Sequence, residues 1–233
     1  MQRTIDRALP YGLAAAFTVV VQGLSLVEFL PVPVALLAGA VWAGMIGLVA
    51  SRVRRKPTVS AWVEDGLVAL GTTAMALFAF GGAIGLMMLG SALDSSSITG
   101  ETMVTMFLPS IPIAIAANVP TELFVIPGLL ILAWRTGFRR VLIVVAAGLY
   151  FVLRVWTYLV FASDRLDFAD AERSTTPLTA AERDQFAAAF HVDDPRRILN
   201  LLIFAVFLLA AFLPRTRDVR TGGHAEGHTS PVS

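Results

Sequence analysis

The chain has 233 residues, 56% of them hydrophobic and 15% charged, with a net charge of +1 and a mean hydropathy of +0.73. A soluble domain of this size has too little interior to hide so much apolar surface, and a charge so close to neutral gives no footing on nucleic acid. Cysteine is absent, which excludes disulfides, thiolate metal sites and cysteine nucleophiles.

The apolar residues fall into six runs, approximately 9–30, 33–51, 66–92, 107–134, 140–162 and 197–214. Each is near the length of about 20 residues that a helix needs to cross roughly 30 Å of hydrocarbon. The first run is too long for the apolar core of a cleavable signal and has no clear small-residue cleavage site, so it reads as a membrane helix. The expected fold class is all-α: a polytopic membrane bundle of six transmembrane helices. Residues 1–214 form one transmembrane domain, and 215–233, rich in Gly, His, Ser, Thr and Pro, form a tail expected to be disordered.

Orientation follows from the basic flanks. Arg3 and Arg7 precede the first span; Arg52, Arg54, Arg55 and Lys56 follow the second. Arg135, Arg139 and Arg140 follow the fourth, and Arg215, Arg217 and Arg220 follow the sixth. The opposite loops are uncharged or acidic. Both termini are therefore expected on the cytoplasmic side. Lys56 is the sole lysine, a pattern expected of a GC-rich bacterial source and hence of a bacterial plasma membrane.

In chain order, the first span carries Gln22 and, near its outer end, Glu28. Pro31 and Pro33 end it sharply, since proline lacks an N–H and disfavours helix in the residue before it. The second span carries Ala35, Gly39, Ala43 and Gly47 at four-residue spacing, a ridge that lets another backbone approach. It reads as helix packing within the chain, with homodimerisation as the alternative. The third span adds Gly81 and Gly85. The fourth holds Pro109, Pro112, Pro120 and Pro127 and is expected to be one broken helix, because two spans there would put three arginines outside.

Glu122, in the stretch Asn118-Val-Pro-Thr121-Glu122, sits near the middle of the fourth span, and Arg154 just outside the middle of the fifth. Ionisable groups in hydrocarbon are costly and mark functional hypotheses. Counted at about 1.5 Å per residue, the depths of the two differ by roughly 6 Å, within reach of two long side chains. An ion pair facing the bundle interior is expected, either pinning two helices or lining a cavity. Pro120 deprives the carbonyl of Ala116 of its hydrogen bond, and irregular backbone at this depth is tolerated where it is buried or lines a cavity. Glu122 and Arg154 are the candidate catalytic residues; Asn118, Thr121, Gln22, Glu28 and Asn200 are candidates for substrate binding. Tyr150, Trp156 and Tyr158 read as packing or interface anchors.

Between the fifth and sixth spans lies the one sizeable loop. Asp164, Asp167 and Asp170 share a broad face if helical; they form either a solvated acidic loop or an oxygen-ligand site for Mg²⁺ or Ca²⁺. Thr179-Ala-Ala-Glu182 has the form of a capping box, which predicts a short helix to about Phe190. Asp194-Pro195 then reads as the cap and first-turn proline of the last span.

Pro120-Thr121-Glu122 resembles the proline–any–glutamate element of small bacterial lycopene cyclases, with Leu123 where their second acid stands. The stretch from Tyr158 to Leu213 is similar in layout to the end of anthrone-oxygenase-like membrane proteins, without their asparagine and tryptophan signatures. Each covers under a third of the chain. No histidine cluster, zinc-protease helix, serine elbow or phosphate-binding loop is present; His191, His224 and His228 all lie outside the spans. The sequence names no cofactor. The partners it implies are the lipid bilayer, a lipophilic small molecule, and a second copy or another membrane subunit. Three functions fit: a membrane protein that binds or converts a lipophilic molecule in an intramembrane polar pocket, a small transporter or permease subunit, and an accessory protein without catalysis.

Overall fold

A computed structural model of the chain describes residues 2–27, 29–134, 137–161, 174–189 and 196–213. The described residues are helical throughout, joined by short turns: α1 (Gln2–Leu26), α2 (Val32–Arg54), α3 (Pro57–Leu93), α4 (Gly100–Phe107), α5 (Ser110–Pro120), a π turn (Thr121–Val125), α6 (Ile126–Leu132), α7 (Phe138–Trp156), a second π turn (Thr157–Phe161), α8 (Ala180–Ala189) and α9 (Arg196–Phe212).

Five helical stretches are long and apolar enough to cross a membrane: Ala8–Leu26, Val32–Arg54, Pro57–Leu93, Gly100–Leu132 and Phe138–Leu159. They mark an integral membrane protein. The last apolar helix, α9, is shorter. The third stretch is longer than the run 66–92 suggested, because Pro57 opens it with a fixed φ and a missing N–H that the first turn does not need. Glu64 and Asp65 therefore lie within the helix and not in a flanking loop. Pro33 occupies the first turn of α2 in the same way.

The bundle is built around α6. Every residue from Ile126 to Leu132 is buried, and α1, α2, α3 and α7 all pack against it. The remaining core is supplied by one stripe on each neighbour, including Phe17, Val21, Val68, Met75, Ile143, Tyr150, Ile203 and Phe207. The outward faces stay apolar: Leu37, Val41 and Leu48 on α2, Phe80 and Met87 on α3, and Val152 and Leu159 around the end of α7 are exposed. A surface of that kind suits lipid.

Close approach is set by glycine where it is needed. A Cβ on Gly39 would stand 3.0 Å from the Cα of Val19, so α2 packs backbone-to-backbone on α1. The ridge of small residues thus faces the chain's own first helix. Gly81 and Gly85 differ, with nothing within 4 Å of a Cβ placed there. Gly137 turns the chain from α6 into α7 with φ 145°, a backbone open to glycine and strained for other residues.

Opposite ends of the bundle are fastened differently. Beside the α2–α3 turn, Arg139 bridges α7 to α3, its Nη2 2.9 Å from Asp65 Oδ1 and its Nε 3.3 Å from Glu64 Oε1. Arg140 lies over the Trp134 ring, 5.3 Å from its centroid. At the far end, the segment before α8 folds onto α3 and α4. Leu178 N–H donates to Ile98 O at 2.8 Å and Glu101 N–H to Ser174 O at 3.0 Å. Leu178 and Phe186 bury against Leu89, Leu93, Ile98 and Met103. The capping box is present: Glu182 Oε2 accepts from the Thr179 N–H at 2.7 Å, and Thr179 Oγ1 accepts from the Glu182 N–H at 3.3 Å.

Candidate functional site: a buried ion pair between two interrupted helices

The region from Gly100 to Leu132 is a single helical course with two interruptions, one at Leu108–Pro109 and one at the π turn. The π turn has a cause in the sequence. Pro120 and Pro127 flank it, and each removes an N–H from the helical ladder. Between them the pattern lengthens, and the Ile126 N–H reaches back five residues to Thr121 O. Pro127 leaves the carbonyl of Leu123 without its i+4 donor, and the indole of Trp42 on α2 supplies one instead, Nε1 to Leu123 O at 3.0 Å. A carbonyl left unpaired in hydrocarbon would cost several kcal/mol.

Glu122 lies in this turn. It stands four residues after Asn118, on the same face. Across from it, Tyr150, Arg154 and Tyr158 also recur every fourth residue, so they form one ladder along α7 and its π turn. The two ladders meet. Arg154 Nε pairs with Glu122 Oε1, and Arg154 Nη2 donates to the Tyr158 hydroxyl. The Tyr150 hydroxyl lies 2.9 Å from Asn118 Oδ1 and 3.2 Å from Glu122 Oε1. The Tyr158 hydroxyl lies 3.4 Å from Glu122 Oε2, and its ring sits under the guanidinium, 4.4 Å from Cζ. Asn118 is itself oriented by Nδ2 donating to Ala114 O at 2.9 Å.

The centre is most deeply buried around Tyr150 and least covered at Tyr158. Tyr150 is 0% exposed, Glu122 4%, Asn118 6% and Arg154 8%, whereas Tyr158 is only half-buried. Exposure therefore rises along the α7 ladder toward Tyr158. Chemically, the arrangement holds one carboxylate and one guanidinium in balance, with two phenols and an amide as neutral hydrogen-bonding groups around them.

The remaining sequence candidates distribute unevenly. Thr121 is buried and donates to Ala117 O at 2.8 Å, one turn back along its own helix. Gln22 packs its Cβ toward Gly39 at the α1–α2 contact. Asn200, on α9, is buried with Oδ1 lacking a hydrogen-bond partner among the described residues. Glu28, and Asp164, Asp167 and Asp170, lie outside the described residues. Among the described residues no cluster of three potential metal ligands occurs.

Sequence reasoning missed Tyr150 and Tyr158 as partners of Glu122, and Trp42 as the donor to Leu123. The four-residue spacing of Tyr150, Arg154 and Tyr158 was the available signal for the first two; nothing local announces Trp42. No known protein family, no curated protein and no solved structure matches this chain.

Proposed function

We propose that the chain is a six-span membrane protein, with both termini cytoplasmic, that binds a lipophilic small molecule at the Glu122–Arg154 centre. Arg154 is the ligand's polar anchor and Glu122 the group that gives or takes a proton. The orientation rests on the basic residues flanking alternate spans. The sixth span is α9, whose 17 residues rise about 26 Å, near the lower limit for crossing.

One observation carries the ligand reading: both helices that bear the pair break into a π turn at it, one holding Glu122 and the other starting three residues after Arg154. π turns are rare and concentrate at functional sites. Pro120 and Pro127 account for the first of these turns; the second, Thr157–Phe161, contains no proline, and a pair that only pinned two helices would need no irregular backbone there.

The test is native mass spectrometry of the protein in mild detergent, wild type beside Arg154→Gln. The expected result is a specific bound lipophile in the wild type that is missing from the equally folded variant. A wild type that flies empty, with bulk phospholipid only, overturns the reading.

A further inference from the structure

The two charges at the centre are not equivalent. A carboxylate becomes neutral by taking a proton, whereas a guanidinium does not lose one in a protein. When a ligand separates the pair, only one partner can be left behind without a naked buried charge, and that partner is Glu122. The one set free to bind is therefore Arg154, and its new partner is an anion. The site also has to stay neutral overall, since an uncompensated charge at this depth is strongly disfavoured. An anion arriving alone would leave the site at net minus one. An anion arriving with its proton leaves it at zero. A cationic ligand would pair with Glu122 and strand Arg154.

One neighbouring hydroxyl can serve a neutral Glu122 as well as a charged one. The Tyr150 hydroxyl lies closer to Asn118 Oδ1, at 2.9 Å, than to Glu122 Oε1, at 3.2 Å. With its proton on Asn118, the Tyr150 oxygen turns a lone pair toward Glu122 and accepts from a protonated carboxyl. Among the described residues, the ionisable groups that act on Glu122 are Arg154, Tyr150 and Tyr158, all from α7 and its π turn, and α2 adds the neutral Trp42 indole, which donates to Leu123 O.

We propose that the ligand of this centre is a lipophilic weak acid that arrives neutral past Tyr158, transfers its proton to Glu122 and binds as the anion to Arg154. The O–H bond of the ligand breaks, an O–H bond on Glu122 forms, and the ion pair Glu122–Arg154 is replaced by ligand–Arg154. No charge or electron is gained or lost. This rests on the ligand-binding reading above.

The experiment is titration calorimetry of the full chain in detergent with dodecanoic acid, set against dodecanol and dodecylamine. Between about pH 7 and 9, dodecanoate binding to the wild type takes up one proton, so its affinity falls roughly tenfold per pH unit. Heats in buffers of different ionisation enthalpy give the same single proton without any variant. Glu122→Gln, neutral already, binds dodecanoate more tightly and with no pH slope. Equal binding of dodecanol, preference for dodecylamine, or a slope that persists in Glu122→Gln overturns the proposal while leaving a ligand site in place. Binding of none of the three, by a wild type that also flies empty in the mass spectrometer, overturns both.

Discussion

At the scale of single residues, the Glu122–Arg154 pair dominates. Removing one partner of a buried pair leaves the other uncompensated, whereas removing both does not. Glu122→Leu, which strands an Arg154 that cannot lose its charge, is therefore expected to lower stability by roughly 3 kcal/mol or more, and the Glu122→Leu/Arg154→Leu double variant by clearly less than the sum of the two single changes. Thermal unfolding in detergent measures both. A second residue-scale prediction concerns Glu182. Its carboxylate is held below its ordinary value of 4.5 by the Thr179 backbone N–H and hydroxyl. A depressed value means a contribution to the α8 cap that is present above the ordinary value and disappears as pH falls through the lower one. Protection of the Ala180–Phe186 amides against exchange should fall in that window; Thr179→Ala should weaken the pH dependence and Glu182→Gln should remove it. The sequence displayed the two charges, because ionisable residues stand out against an apolar run. It hid the two tyrosines, because an aromatic ring with a hydroxyl serves equally as packing, interface anchor or hydrogen-bond donor; only the partner across the interface decides.

At the scale of elements, proline explains most of the irregularity. Pro120 and Pro127 bracket the π turn, so the break of the fourth apolar run was legible as a place. Its form was not, since the carbonyl that Pro127 frees takes its partner from another helix. Trp42 is that partner, 81 residues away in sequence. Trp42→Phe keeps the ring against Phe124, 5.6 Å between centroids, and removes the donor. It should cost about 1–3 kcal/mol, the range for a buried acceptor left unpaired; an unchanged melting temperature would refute that role. The glycines separate along the same lines. Gly39→Ala sets a methyl 3.0 Å from the Val19 backbone and should destabilise the α1–α2 contact by about 1–3 kcal/mol. Gly81→Ala meets nothing within 4 Å and should be neutral or slightly stabilising. The spacing of Ala35, Gly39, Ala43 and Gly47 was readable beforehand, while the identity of the facing helix required the fold.

For the whole molecule, composition alone revealed a membrane bundle, because apolar runs this long have no soluble solution. Chain order gave the helices in sequence but not their arrangement. That α6 is the buried axis, with α2 at the rim, follows from which helices offer small or proline-shaped faces to one another. The segment before α8 and α8 itself, read as a loop with a short helix, close the far end of the bundle through Leu178 and Phe186; the capping box was visible and the docking site was not. The described residues thus place the Glu122–Arg154 centre inside an apolar shell, with a half-buried tyrosine at its margin. The central claim is that this centre opens for a ligand and that Glu122 becomes neutral when it does. Infrared difference spectroscopy on adding dodecanoic acid tests it most directly. The account predicts a new protonated-carboxyl band in the wild type that is absent from Glu122→Gln. A wild type that binds the acid with no such band, Glu122 still ionised against Arg154, would contradict it.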